Sequence, residues 1–165
     1  MKRAFKKATV YITMFASAFM ATILLAGCGS RIPDTYYFTY DVGDGQIIAH
    51  IVPETLSRDG AELKIINNTE YIVMWGLMHS LEVNRRNTWA QVDFLPGAGG
   101  FESIGFGLHP NEYIKIPQAF DLRFGGLGNG RYRIVKQVIV DNEQNDRVQL
   151  VVEFTINNQT VQENE

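Results

Sequence analysis

The sequence predicts an all-β domain, an antiparallel sandwich or barrel, behind an N-terminal secretory leader. Short β-prone runs separated by turn residues recur along the chain, and no long window carries amphipathic helical periodicity. From Val148 to Ile156 the alternation is unbroken, with Val148, Leu150, Val152, Phe154 and Ile156 on one face. The single cysteine, Cys28, closes the leader, so the domain beyond it has no disulfide and must be held by packing.

The leader comes first. Lys2, Arg3, Lys6 and Lys7 make a positive start with no acidic residue, and Ala8 to Ala26 is almost wholly apolar. A charged start, an apolar middle and small residues before a cut site are the marks of a signal peptide. The competing reading is a retained transmembrane helix, because the run is close to the ~20 residues that span hydrocarbon. Leu25-Ala26-Gly27-Cys28 resembles the lipobox of bacterial lipoproteins. That resemblance implies a diacylglyceryl group on the Cys28 thiol and cleavage just before it by signal peptidase II. The sole cysteine standing at that place favours the lipobox over the helix.

Cleavage there removes residues 1–27 and leaves 138 of the 165. Four cations leave with the leader, so the formal charge moves from −3 to −7. A chain of this length can bury one core. Its acidity does not suggest nucleic acid or an anionic membrane surface as partner. Residues 28–34 form the lipidated cysteine and a short polar tether. Six extended residues reach at most ~20 Å, which keeps the domain near the bilayer.

The domain is expected over residues 35–157, with a polar tail over 158–165. Tyr36 to Tyr40 reads as a first strand, with an aromatic membrane-facing patch as the alternative. Gln46 to Val52 is a strand closed by Pro53, and Ala61 to Ile66 alternates Leu63 and Ile65 with Glu62 and Lys64. Tyr71 to Trp75 is β-prone. Ser80 to Asn84 and Trp89 to Phe94 flank Arg85-Arg86-Asn87 as a hairpin. A Pro96 to Gly100 loop follows, then strands at Phe101 to Leu108 and Glu112 to Ile116 around His109-Pro110-Asn111. Gln118 to Phe124 offers one helical turn. The last hairpin pairs Arg131 to Val140 with Val148 to Ile156. Lys136 interrupts its apolar face, and a lysine aimed into a core is costly, so a bulge or a chain end reaching solvent is expected there.

Gly130-Arg131-Tyr132-Arg133-Ile134-Val135-Lys136 resembles the Gly-x-Tyr motif that opens a late strand in immunoglobulin-like sandwiches. There the tyrosine hydroxyl bonds back to upstream backbone, the tyrosine corner. Ile134 stands where antibody domains carry a cysteine. Together with Leu63 to Thr69, Ser80 to Val83 with Trp89, and Phe101 to Ile116, the pattern is similar to bacterial immunoglobulin-like domains of exported Gram-positive proteins. The resemblance implies an immunoglobulin-like antiparallel β-sandwich and an extracytoplasmic compartment. It implies no catalytic residue. Gly130 and Tyr132 carry the structural motif.

Chemical constellations are sparse. His50, His79 and His109 are far apart in sequence, with no ligand-spaced partner, so no metal site is expected. Asp141 to Asp146 is acidic, but glycine and glutamate are missing where a calcium loop needs them. The glycine clusters at Gly97 to Gly100 and Gly125 to Gly130 precede strands rather than helices and read as turns. No catalytic residues and no cofactor are expected. Trp75 reads as core, whereas Trp89, after a polar turn, is the candidate contact residue.

The reading is a non-enzymatic binding or interaction module, held to the extracytoplasmic face of the membrane through diacylglyceryl-Cys28. Its protein or cell-wall partner is not specified by the sequence. A regulatory or sensory lipoprotein acting on a membrane protein is the alternative, and a hydrolase assembled from distant residues a remote one.

Overall fold

The computed structural model describes residues 36–157. The leader, Leu25, Ala26, Gly27, Cys28, the tether and the tail lie outside the described residues. Two antiparallel sheets face each other across one core. One holds β1 (Phe38–Val42), β2 (Gly45–Ile51), β3 (Gly60–Asn68) and β8 (Tyr113–Ala119), in that spatial order. The other runs β6 (Thr88–Gln91), β5 (Ser80–Arg85), β9 (Gly130–Val140), β4 (Val73–Gly76), β7 (Gly105–Leu108), with β10 (Arg147–Ile156) also paired to β9.

Period-two patterning builds the core. Ile47, Ala49 and Ile51 of β2 and Leu63 and Ile65 of β3 are all 0% exposed. They meet Val148, Leu150, Val152, Phe154 and Ile156 of β10, which are buried together as the alternation requires. β3 continues past Ile66 because Asn67, fully buried, is fully bonded. Its amide donates to the carbonyls of Tyr71 (2.8 Å) and Leu108 (3.0 Å) and accepts from the backbone and hydroxyl of Thr69. Those partners offset the cost of taking the amide out of water.

The β5–β6 hairpin turns on two residues, Arg86 and Asn87, with φ of 53° and 64°. Both values are positive, the type I′ geometry that matches strand twist. Arg85, expected in the turn, pairs with Thr88 in the ladder instead. The first strand lies two residues later than expected. The strand expected over Phe101 to Leu108 begins only at Gly105. The turn at His109-Pro110-Asn111 crosses between sheets, because β7 pairs with β4 and β8 with β3.

β9 is the axis of the larger sheet. β10 covers one edge along its whole length. The other edge is divided: β5 pairs with Tyr132 to Val135 and β4 with Val138 to Val140. Lys136 falls at the switch, where the chain leaves β4 and has not yet entered β5. The bulge expected there is absent, since the β9–β10 register runs through it unbroken. Its end does not reach solvent either, for the residue is 3% exposed. Instead the ammonium donates to the carbonyls of Gly76 (2.6 Å) and Met78 (3.4 Å). It thereby binds backbone acceptors where the two strands part.

The helical turn α1 (Phe120–Phe124) ends in Gly125 and Gly126, both with φ of +80°. Their N–H groups cap the carbonyls of Asp121 and Phe120, which requires the left-handed backbone that glycine adopts without strain. No helix among the described residues is long and apolar enough to cross a membrane.

Candidate functional site

The segment from Val92 to Ile104, between β6 and β7, is an arm rather than a strand. It is latched to α1. Leu95 N–H donates to the Arg123 carbonyl (2.8 Å), and the Arg123 guanidinium donates to the Ala98 carbonyl (3.0 Å). The same guanidinium sits over the Phe101 ring at 4.3 Å, a cation–π contact. Phe94 stacks on Phe124 at 4.9 Å and meets Phe101 edge-on at 5.7 Å. Both ends of the glycine-rich loop are thus tied down by aromatic packing, and the loop stands as a wall.

A concavity lies on each side of the wall. The larger, about 1090 Å³, opens over the outward face of the six-stranded sheet. Its floor is Ile72 and Met74 of the β4 region with Val135 and Ile139 of β9, and Phe94 and Phe101 form its flank. The smaller, about 700 Å³, enters between the two sheets. There Trp75, Ile116 and Leu122 meet Lys136, Gln118 and Arg123.

His79 borders both concavities. It packs edge-on against Phe101 at 5.4 Å, and its Nδ1 lies 3.2 Å from the Leu77 carbonyl. A carbonyl can only accept, so Nδ1 carries the proton and donates. Burial pushes the pKa down to about 4. The ring is therefore neutral near pH 7, with Nε2 an unprotonated acceptor.

Tyr132 donates its hydroxyl to the Gly128 carbonyl at 3.0 Å, and its buried ring stacks on Phe154 at 5.8 Å. Burial raises its pKa. A Cβ at Gly130 would stand 3.2 Å from that ring, so the glycine two residues earlier leaves the ring its place. Trp89 is half-buried on the outward face, under the Arg133 guanidinium at 4.4 Å, with Arg131 at 5.6 Å. Arg133 is in turn paired with Glu82 at 2.6 Å. Trp89 is therefore engaged within the sheet's own charge network, apart from the arm.

The three histidines do not form one cluster: His50 packs against Tyr37 on the other sheet at 4.6 Å, while His109, in the crossover turn, lines the larger concavity with His79. Among the described residues no three metal-ligating side chains cluster. In the acidic hairpin loop, Asn142 donates to the Asp146 carboxylate (2.9 Å) and accepts from the Asp146 N–H (3.2 Å), which closes the loop on itself.

The arm and its two concavities were missed from sequence. The available signal was the pair of phenylalanines bracketing Pro96 to Gly100, since a merely flexible loop has no use for them.

Among known proteins, the family model described as "Bacterial Ig-like domain" matches residues 49–163. No curated protein matches the chain. Solved structures similar to it include Northeast Structural Genomics Consortium target SoR45, at 12% identity and a TM-score of 0.40, over 81% of this chain and 89% of that one. Another is a protein from Archaeoglobus fulgidus, at 9% identity and a TM-score of 0.28, over 75% and 96%.

Proposed function

Since this chain belongs to the bacterial immunoglobulin-like domain family, we propose that it is a non-enzymatic binding module of the cell envelope. Cys28 would hold it to the extracytoplasmic face of the membrane, and the outward face of its six-stranded sheet would take the partner. One observation carries this reading: the 1090 Å³ concavity, floored by aliphatic side chains and flanked by a latched aromatic wall. A sandwich that needs only stability covers its outward faces with polar residues. Ile72, Met74, Val135 and Ile139 instead give that face an apolar floor, broken by Gln137, beneath a preformed wall, the form expected of a contact surface.

A photo-crosslinking amino acid at Met74 or Ile139 in the anchored protein tests the face, with exposed Tyr113 on the other sheet as control. A discrete adduct from the first two positions and none from Tyr113 supports the reading. Equal labelling at all three, or none at any, overturns it. The anchor is tested separately. Cys28→Ala should leave an unlipidated, uncleaved precursor. A Cys28→Ala protein processed and retained like the original would refute the lipobox.

A further inference from the structure

The outward face of the four-stranded sheet is the molecule's other broad surface, and its side chains stand in lateral rows set by the ladders. Thr39, Ile48, Ile66 and Tyr113 are successive partners across β1, β2, β3 and β8. In the next row His50, Lys64 and Lys115 are partners in the same way, and Tyr37 extends it by packing on His50 at 4.6 Å. Neighbouring strands lie about 4.8 Å apart, so each row is a strip of touching side chains rather than a scatter. Ile48 and Ile66 are outside the core, which takes Ile47 and Ile65 from the opposite face. The rows end in open aromatic rings: Tyr37 is 65% and Tyr113 63% exposed. A solvated sheet face carries polar residues at these positions.

The charges stand beside the rings. Lys64 holds its ammonium 4.6 Å over the centre of the Tyr113 ring. Glu62, in the row beyond, is paired with Lys115 at 2.9 Å. Asp41 lies at the far end of β1 from Tyr37, where its carboxylate accepts from Gln46 at 2.8 Å. Phenol rings, isoleucines and lysines thus share one face. Rings with an apolar body and a polar tip suit the boundary between hydrocarbon and water. Lysine stems lie along apolar surface and carry their charge out to phosphate.

The place of this face in the chain selects a bilayer as its occupant. This step rests on the anchor proposed at Cys28. From Cys28 to Tyr36 the chain makes eight steps, which span at most ~28 Å. Tyr36 and Tyr37 are therefore held close to the headgroups. A contact on so short a tether needs little affinity of its own, because the effective concentration is on the order of mM. The opposite sheet is unsuited to the same role, since a flat bilayer cannot fill a concavity of about 1090 Å³ behind a raised wall. The net acidity of the domain favours a neutral headgroup over an anionic one.

We propose that the outward face of the four-stranded sheet lies on the phospholipid headgroups, with Tyr37 and Tyr113 seated among them and Lys64 beside phosphate. The sandwich is then oriented as well as anchored. The concavity on the six-stranded sheet faces away from the bilayer, open to its partner.

The test places the full chain in phosphatidylcholine nanodiscs that carry a nitroxide quencher on the headgroup. A thiol-reactive fluorophore is attached at Thr39→Cys, on the docking face, or at Gln137→Cys, exposed on the outward face of the six-stranded sheet. Quenching at Thr39 should be several-fold that at Gln137. Tyr37→Ser combined with Tyr113→Ser should lower the Thr39 signal to the Gln137 level. Equal quenching at the two positions, stronger quenching at Gln137, or a Thr39 signal that survives the double substitution overturns the docking. The chain without an added cysteine should take no label, because Cys28 is acylated. Label on Cys28 overturns the anchor and this inference with it. A blocked Cys28 with no difference between the two faces overturns the docking alone.

Discussion

Tyr132 and Lys136 stand four residues apart on the inward face of β9, and each carries a polar end into the core. Tyr132 bonds to Gly128, four residues back along its own chain. Lys136 bonds to Gly76, 60 residues away, at the point where β9 changes partners from β4 to β5. The first contact closes a local loop on the entry to a strand. The second repairs a break in a sheet. The difference separates two reasons for burying a polar group. Tyr132 adds a large ring to the core and satisfies its hydroxyl in passing. Lys136 brings little apolar surface and a charge, and is kept for the two carbonyls it covers.

The comparison implies that the ring, and not the hydroxyl, dominates at Tyr132. Tyr132→Ala removes the stack on Phe154 and opens a void beside Gly130. It should cost ~3–5 kcal/mol, as for other large aromatic truncations. Urea melts give the figure directly. A loss below about 1 kcal/mol would mean that the ring is peripheral and the contrast with Lys136 misplaced.

Lys136 should reveal itself through pH. Burial pushes its pKa down from 10.5 to about 8. Below pH 8 the ammonium is protonated in both folded and unfolded chains, and its contribution is constant. From about pH 8 to about pH 10 the unfolded chain still holds the proton while the fold has released it, so stability rises with pH. The rise should reach about 2 kcal/mol across the window. Tyr132 does not confuse it, because burial raises that pKa above its usual 10. Urea midpoints at about pH 7.5 and about pH 9.5 should separate in the unaltered chain and coincide in Lys136→Met. A parallel rise in both proteins would assign the effect elsewhere.

The same contrast marks what the sequence makes legible. Tyr132 could be read because its partner lies within four residues and Gly130 announces the ring's position. The buried rows of β2, β3 and β10 could be read because alternation is a property of each strand alone. Lys136 was misjudged, with a bulge expected, because its solution depends on which strands border β9, and no local pattern encodes that. Asn67 extends β3 past Ile66 for a similar reason: one of its amide's acceptors, Leu108, lies 41 residues away. The arm escaped because Phe94, Phe101 and Phe124 come together only once α1 is docked. Gln118, expected in a helical turn, is instead a residue of β8 that lines the smaller concavity along with Lys136. The fold was therefore open to strand-by-strand reasoning, whereas both concavities arise between elements.

Tyr132→Phe is the finest test of the comparison. It keeps the ring, the stack on Phe154 and the fit against Gly130, and removes only the donor to Gly128. The Gly128 carbonyl belongs to an exposed residue, so water can replace the lost partner. The loss should therefore be that of one net hydrogen bond, ~1 kcal/mol, well short of the alanine variant. Because the bond is local, the loss should come without change in the urea m-value, which follows the surface exposed on unfolding. If Tyr132→Phe proved as damaging as Tyr132→Ala, the hydroxyl would be holding the whole Gly125 to Gly130 approach in place. Tyr132 would then resemble Lys136, a polar group kept for the backbone it binds rather than for the core it fills.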